Sequence, residues 1–172
     1  MRRSIILVGL PGSGKTSVGR LVAARWNTPF TDIDEQVELV AGHSVAEIFR
    51  RSGEAEFRRL ERAAMDRALD HPPHLISAGA GWIAQPGSLE AARARGALVV
   101  YLRVSPAIAA ARLGAGSGRP LLDGHEPEAR LEELLAARRQ WYDQADARVD
   151  ATGSLQEVAD RLEVIVPDPE RV

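Results

Sequence analysis

One stretch constrains this chain more than any other. The apolar run Ile5-Ile6-Leu7-Val8 leads straight into Gly9-Leu10-Pro11-Gly12-Ser13-Gly14-Lys15-Thr16. From Lys15 to Trp26 the spacing is then helical, with Val18, Leu21, Val22 and Arg25 on one face and Trp26 expected in the core. A short, all-apolar, β-branched run is the pattern of a strand buried on both faces. The segment after it fits G-x-x-x-x-G-K-[ST] in full. Its glycines let the backbone curl until several N–H groups point at phosphate oxygens, and the helix that follows adds its positive N-terminal end. Lys15 is placed to bridge the β- and γ-phosphates, and the Thr16 hydroxyl to ligate Mg²⁺. Gly12, Ser13, Gly14, Lys15, Thr16 and Ser17 are the expected nucleotide contacts, and a purine nucleotide with Mg²⁺ is the expected ligand.

Composition narrows this further. Of the 22 basic residues, 21 are arginine and Lys15 is the single lysine. Arginine enrichment follows from the codon usage of a GC-rich genome, so the one lysine marks a position where a guanidinium cannot replace a compact ammonium. A GTPase of this size would carry an N-K-x-D guanine-reading segment, which a chain with no second lysine cannot contain. The 22 basic and 24 acidic side chains leave a formal charge of −2, which argues against a nucleic-acid or polybasic membrane binder. The absence of cysteine excludes disulfides, thiolate metal sites and a thiol nucleophile. Ile5 to Val8, the longest apolar run near the N-terminus, is too short for a signal peptide or a membrane span. The expectation is a cytoplasmic protein of one domain spanning residues 1–172.

The remaining chain alternates between two periods. Pro29–Ile33, Leu75–Ala78, Ala97–Leu102 and Arg148–Ala151 read as further strands. Helical stretches fall at about 34–41, 44–52, 54–70 and 88–95, from Ser105-Pro106 to Leu113, from Pro127 to Ala145, and after Ser154. Ser44 with Glu47, and Ser154 with Glu157, form capping-box pairs. Strands alternating with helices imply a parallel sheet of about five strands covered on both faces, a three-layer α/β fold. Residues 114–125 hold four glycines without periodicity and read as a mobile loop able to close as a water-excluding lid. Residues 167–172 read as a tail.

Candidate acceptor residues gather elsewhere. Asp32-Ile33-Asp34 ends the second strand, and ligands of open α/β sheets collect at carboxyl strand ends. There Asp32 is suited to organise Mg²⁺ through water and Asp34 to accept a hydrogen bond from an acceptor hydroxyl, while helix capping is the other reading of both. His43, His71, His74 and His125 are scattered without ligand spacing and read as surface or capping residues. Trp82 and Trp141 adjoin the candidate acceptor residues and are kept as pocket walls.

Taken in order, the loop G-L-P-G-S-G-K-T, D-x-D at 32–34, F-R-x-x-E at 57–61, the turn at 79–81, R-P-L-L at 119–122 and R-x-x-x-Y at 138–142 resemble the shikimate kinase family over about residues 4–166. The resemblance implies a P-loop kinase fold with a mobile lid, using ATP and Mg²⁺ to phosphorylate the 3-hydroxyl of shikimate in aromatic amino-acid biosynthesis. By that resemblance Asp34 positions the attacking hydroxyl, and Arg58 and Arg138 grip the substrate carboxylate. Gly79, Ala80 and Gly81 then lie against the substrate, and about residues 34–70 form the acceptor-binding segment. Arg112 stacks on adenine, Arg119 is the lid arginine over the transferred group, and the protein is a monomer with a small hydroxy acid as its partner. Lys15, Asp34 and Arg119 are the implied catalytic residues. Two positions depart from the family pattern: the turn reads Gly79-Ala80-Gly81-Trp82 where G-G-G-A is usual, and Gln140 stands where proline is frequent. A related kinase of another hydroxy acid such as gluconate, or a catalytically silent nucleotide-binding relative, are the alternative readings.

Overall fold

A computed structural model describes residues 3–72, 74–114 and 126–166. Five strands, β1 (Ile5–Val8), β2 (Phe30–Asp32), β3 (Leu75–Ser77), β4 (Leu98–Arg103) and β5 (Ala147–Asp150), form one sheet in the order β2-β3-β1-β4-β5, every pairing parallel. The helices are α1 (Lys15–Trp26), α2 (Ile33–Ala41), α3 (Val45–Leu69), α4 (Ser88–Ala94), α5 (Pro106–Leu113), α6 (Pro127–Tyr142) and α7 (Leu155–Ile165). All four residues of β1 are buried, as its unbroken apolar run requires of a central strand.

Chain order dictates where the crevice opens. From β1 the chain crosses β3 to reach β2, whereas from β3 it crosses β1 in the opposite sense to reach β4. Right-handed crossovers then put α1 on one face and α4 on the other. The reversal falls between β1 and β3, and the loops leaving their carboxyl ends part there to form a ligand crevice. Helix α1 packs beside α7, and Arg25 ties the two together through Asp160 (2.8 Å), Glu163 (2.5 Å) and Gln156 (2.8 Å). Trp26 is buried in the core as its helix face demands.

Local boundaries differ from the sequence reading in a few places. Ile33 opens α2 instead of ending β2, because the Asp32 carboxylate caps that helix by accepting the Glu35 N–H at 3.2 Å. The predicted break between 52 and 54 is real: α3 is interrupted at Gly53, whose backbone (φ 80°, ψ 174°) is non-helical. Helix α6 stops at Tyr142, three residues early, where bonds from Gln144 N–H to Trp141 O and Ala145 N–H to Tyr142 O tighten the chain into turns. Of the two predicted capping boxes, Ser154/Glu157 is reciprocal. Ser44 does accept the Glu47 N–H, but the Glu47 carboxylate turns to Arg51 at 2.6 Å instead of back to the cap. His74 is not a surface residue: it is half-buried, with Nε2 2.6 Å from Thr31 Oγ1. His125 lies outside the described residues.

Gly19 sets how closely α1 approaches β2. A methyl group there would fall 2.5 Å from Cε2 and 3.2 Å from Cδ2 of Phe30, and 3.3 Å from Cδ1 of Leu7. Alanine would gain roughly 1 kcal/mol of helix propensity. Overpacking of this kind costs about 1–3 kcal/mol, so it governs the sign. Gly19→Ala is expected to lower the unfolding free energy by about 1 kcal/mol in urea titration; an unchanged or higher midpoint would show that Phe30 swings aside freely.

Candidate active site

A cavity of about 620 Å³ opens over the β1 and β3 ends. One side is the phosphate loop. Gly14 precedes α1 with left-handed backbone (φ 93°) and no side chain caps the helix, so the first-turn amides of Lys15, Thr16 and Ser17 have no i−4 carbonyl and face the cavity mouth. Gly12 is required for a different reason. At φ 80° it packs so tightly on the Ala109 carbonyl of α5 that no Cβ fits. Lys15 is buried and donates to the carbonyls of Gly9 and Leu10, both at 3.0 Å, which holds the loop in its curl.

A row of side-chain oxygens lies across the ends of three strands. Thr16 Oγ1 donates to Asp32 Oδ2 at 2.5 Å and stands 3.3 Å from Ser77 Oγ. Asp32 caps α2 with one oxygen, as the capping reading expects, and accepts the Thr16 hydroxyl with the other. A hydroxyl and a carboxylate are hard oxygen ligands of the kind Mg²⁺ takes, and Mg²⁺ usually completes its shell with phosphates and water. No group of three or more His, Cys, Asp or Glu that could hold a metal occurs among the described residues.

The other side of the cavity is built on the turn 79–81. Asp34, in the first turn of α2, lines the cavity together with Ala80. The space a Cβ would need at Gly79 is filled by Glu61 Oε1, with Asp34 Oδ1 3.0 Å away. At Gly81 it is filled by the Arg58 guanidinium, whose Nη2 would be 2.5 Å distant. Arg138, buried on α6, donates to the Ala80 carbonyl at 2.9 Å, and the Tyr142 hydroxyl donates to the same oxygen at 3.4 Å. Side chains from α2, α3 and α6 thus converge on three residues. Asn27 is the one non-glycine residue with positive φ among the described residues, so Ala80 sits in ordinary backbone and bears no left-handed strain.

Two residues had no role in the sequence reading: Glu61, in the F-R-x-x-E motif, and Ser77, in the third strand. Glu61 is 1% exposed and holds Arg58 Nη1 at 2.8 Å, while Arg58 also reaches Glu54 at 3.2 Å. Ser77 is buried at the end of β3, directly opposite Asp32 in the strand register. Packing alone reveals both, since nothing in the sequence specifies register or which helix face turns inward. Arg112 spans from the phosphate loop to the far wall, donating to the carbonyls of Ala151 (2.7 Å), Gly153 (3.1 Å) and Ser13 (3.5 Å). Trp82 is a core residue in a single 3₁₀ turn and does not line the cavity, and Trp141 is half-buried against the core. Arg119 and residues 115–125 of the expected lid lie outside the described residues.

A phosphate loop at the switch point of a parallel sheet, facing a second anion-reading turn, defines a P-loop phosphotransferase. Comparison with known proteins makes the class specific. The shikimate kinase family model matches residues 11–166. A shikimate kinase of Caldanaerobacter subterraneus is 37% identical over 161 residues, 93% of this chain and 94% of that protein. One from Symbiobacterium thermophilum is 45% identical over 145 residues, 83% and 82% of the two chains. Among solved structures, Acinetobacter baumannii shikimate kinase in complex with shikimate superposes with a TM-score of 0.89 at 30% identity, covering 95% of this chain and 93% of that one. The chain belongs to the shikimate kinase family.

Glu61 carries a pH signature. Burial pushes its carboxyl above the ordinary 4.5, and the neighbouring Asp34 adds to the rise, while Arg58 and Arg138 oppose it. The native state then holds a proton that the unfolded chain has released, so stability falls as pH rises from about 4.5 through the raised value. Glu61→Gln is expected to flatten that part of the profile of unfolding free energy against pH. Identical slopes in both proteins would refute the assignment.

Proposed function

We propose that the protein is a shikimate kinase that transfers the γ-phosphoryl group of ATP to the 3-hydroxyl of shikimate. The observation that carries this reading is the convergence of Asp34, Arg58, Glu61 and Arg138 on residues 79–81, across one cavity from the phosphate loop. A hydroxy acid presents a carboxylate and hydroxyls; Asp34 lines this wall as a carboxylate acceptor, and the Arg58 and Arg138 guanidinium groups lie against the 79–81 turn that borders it. Phosphoryl transfer asks for positioning and charge neutralisation more than for a strong base.

The geometry and the family resemblance together support these roles. Lys15 and the amides of the loop hold the β- and γ-phosphates. Thr16 and Asp32 hold Mg²⁺, Asp32 through water. When bound, Mg²⁺ neutralises charge on the phosphate oxygens. Asp34 receives the hydrogen bond of the attacking hydroxyl and aims it at the phosphorus. Arg58, oriented by Glu61, and Arg138, oriented by the Ala80 carbonyl, take the carboxylate as planar forks. Arg112 fixes the wall of Gly153 and Leu155 beside the expected position of the base. Arg119 and the lid keep the part the family resemblance assigns them, closing over the transferred group. The ordinary backbone at Ala80 supports shikimate as substrate, since the departure from the family's glycine costs no strain there. The proposal includes a single domain working as a cytoplasmic monomer, in the compartment that supplies ATP. No helix among the described residues is long and apolar enough to cross a membrane.

Two outcomes are expected. Lys15→Ala loses turnover in a coupled ADP-release assay with shikimate while remaining folded, with a somewhat lower unfolding midpoint because the Gly9 and Leu10 carbonyls lose their donor; turnover within about tenfold of wild type, a barrier change of about 1.4 kcal/mol, would sink the kinase assignment. Replacing Arg58 or Arg138 by Lys turns a fork into a point charge and weakens acceptor binding by on the order of 1–3 kcal/mol, read in KM. The methyl ester of shikimate is expected to bind wild type poorly and to lose little more in either variant. An ester that binds as well as the acid means no carboxylate is read.

A further inference from the structure

A second cavity, of about 720 Å³, takes no part in the site above. It lies where the last two strands emerge from beneath α6. Both faces of a parallel sheet are ordinarily covered and apolar. Here the positions of β4 and β5 that share this face are Tyr101, Arg103, Arg148 and Asp150, with Tyr101 opposite Arg148 and Arg103 opposite Asp150. The phenol of Tyr142 on α6 stacks on Tyr101 (4.5 Å between centroids, 2° between planes) and closes the floor beneath. Apolar wall comes from Val104, Pro106 and Leu135.

The charges in this groove do not cancel. Arg148 is held by Asp143 at 2.8 Å, and Asp150, opposite Arg103, accepts the Thr152 N–H at 2.9 Å, with Arg161 and Arg103 also holding its carboxyl below the ordinary value. Arg103 and Arg139, both exposed, enter no salt bridge or side-chain hydrogen bond among the described residues. The similarly exposed Arg59, Arg93 and Arg95 each hold a carboxylate. Burial raises the Tyr101 hydroxyl above its ordinary value, Asp143 adds to the rise, and Arg103, Arg148 and Arg139 oppose it; Arg148 lies 5.8 Å from the ring centroid. The groove is also walled off from the nucleotide side. Asp150 and Thr152 line it, whereas Gly153 and Leu155 line the first cavity, and Arg112 pins the strand between them by the carbonyls of Ala151 and Gly153.

We propose that this groove is a second binding site, for a small organic dianion whose phosphate or carboxylate groups pair with Arg103 and Arg139 and whose carbon skeleton lies on the apolar wall. Guanidinium forks match both kinds of anion, and the cavity has the volume of an ordinary small-molecule site.

The phosphate loop binds anions too, so the test uses the full chain saturated with MgADP and shikimate. Glycerol 3-phosphate and succinate are titrated separately by isothermal calorimetry, one arm for each anion chemistry. The expected result is one further equivalent of at least one anion, weakened at least tenfold by Arg103→Gln or Arg139→Gln and unchanged by Arg59→Gln. Turnover without added anion stays at the wild-type value in all three variants, and their unfolding midpoints show that each folds. The relative affinity of the two anions identifies the preferred chemistry. Binding by neither anion overturns the proposal, as does binding only when nucleotide is omitted. An equal loss in Arg59→Gln overturns it as well, because diffuse charge would then be the cause.

Discussion

The hydrogen bond from Thr16 to Asp32 joins the ends of two strands that are not neighbours. Between β1 and β2 lies β3, and Ser77 at its carboxyl end fills the gap, 3.3 Å from the Thr16 hydroxyl. The row Thr16–Ser77–Asp32 exists only if three strands end level and α1 lies close on the sheet. Level ends follow from the parallel register, in which Asp32 faces Ser77 and Leu7 faces Ser77 as well. Close packing follows from Gly19, one turn beyond Thr16, which admits the Phe30 ring two residues before Asp32. Asp32 then uses its second oxygen to start α2, and that start fixes where Asp34 falls. A single carboxylate thus links the phosphate-binding side of the crevice to the acceptor side.

The acceptor side concentrates charge at a cost to stability. Glu61 and Arg138 are buried, and Arg58 is nearly so. Removing such groups from water costs several kcal/mol each, and a buried ion pair seldom repays this in full. Arg58 and Glu61 offset part of it through their 2.8 Å contact, and Arg138 through the Ala80 carbonyl. A fold chosen for stability alone would put apolar side chains here. What the charges provide is preorganisation: the forks are already oriented when an anion arrives, so less conformational entropy is lost on binding. The glycines at 79 and 81 belong to the same arrangement, since any side chain there would displace Glu61, Asp34 or Arg58.

How much of this was legible in the sequence depends on the range of the determining interaction. The phosphate loop, β1, α1 and the break at Gly53 are local, and their residues announce them. Asp32 and Asp34 stood out through position at a strand end, although the double use of Asp32 needed the register with Ser77 to be seen. Glu61, Tyr142 and His74 gained their parts from packing between distant elements: α3 against the 79–81 turn, α6 against β4, and β3 beside β2. Neither periodicity nor spacing encodes which helix face turns inward there. The tryptophans make the same point in reverse, since proximity in sequence to the acceptor residues put Trp82 near the site while its indole packs into the core.

The lone lysine of an arginine-rich chain has a structural reason. At position 15 the side chain must turn back along its own loop and meet the carbonyls of Gly9 and Leu10 together, each at 3.0 Å, while staying buried. An ammonium group directs three N–H bonds outward from one atom, so it can satisfy two adjacent carbonyls and still address a phosphate with the third. A guanidinium spreads five donors across a rigid plane and needs more width than a tight glycine turn encloses. On the opposite wall, Arg58 and Arg138 meet the reverse demand, where a flat bidentate surface suits a planar carboxylate. The compositional drift toward arginine therefore suits the acceptor side of the crevice and is held back at one position on the nucleotide side, by the geometry of the loop alone.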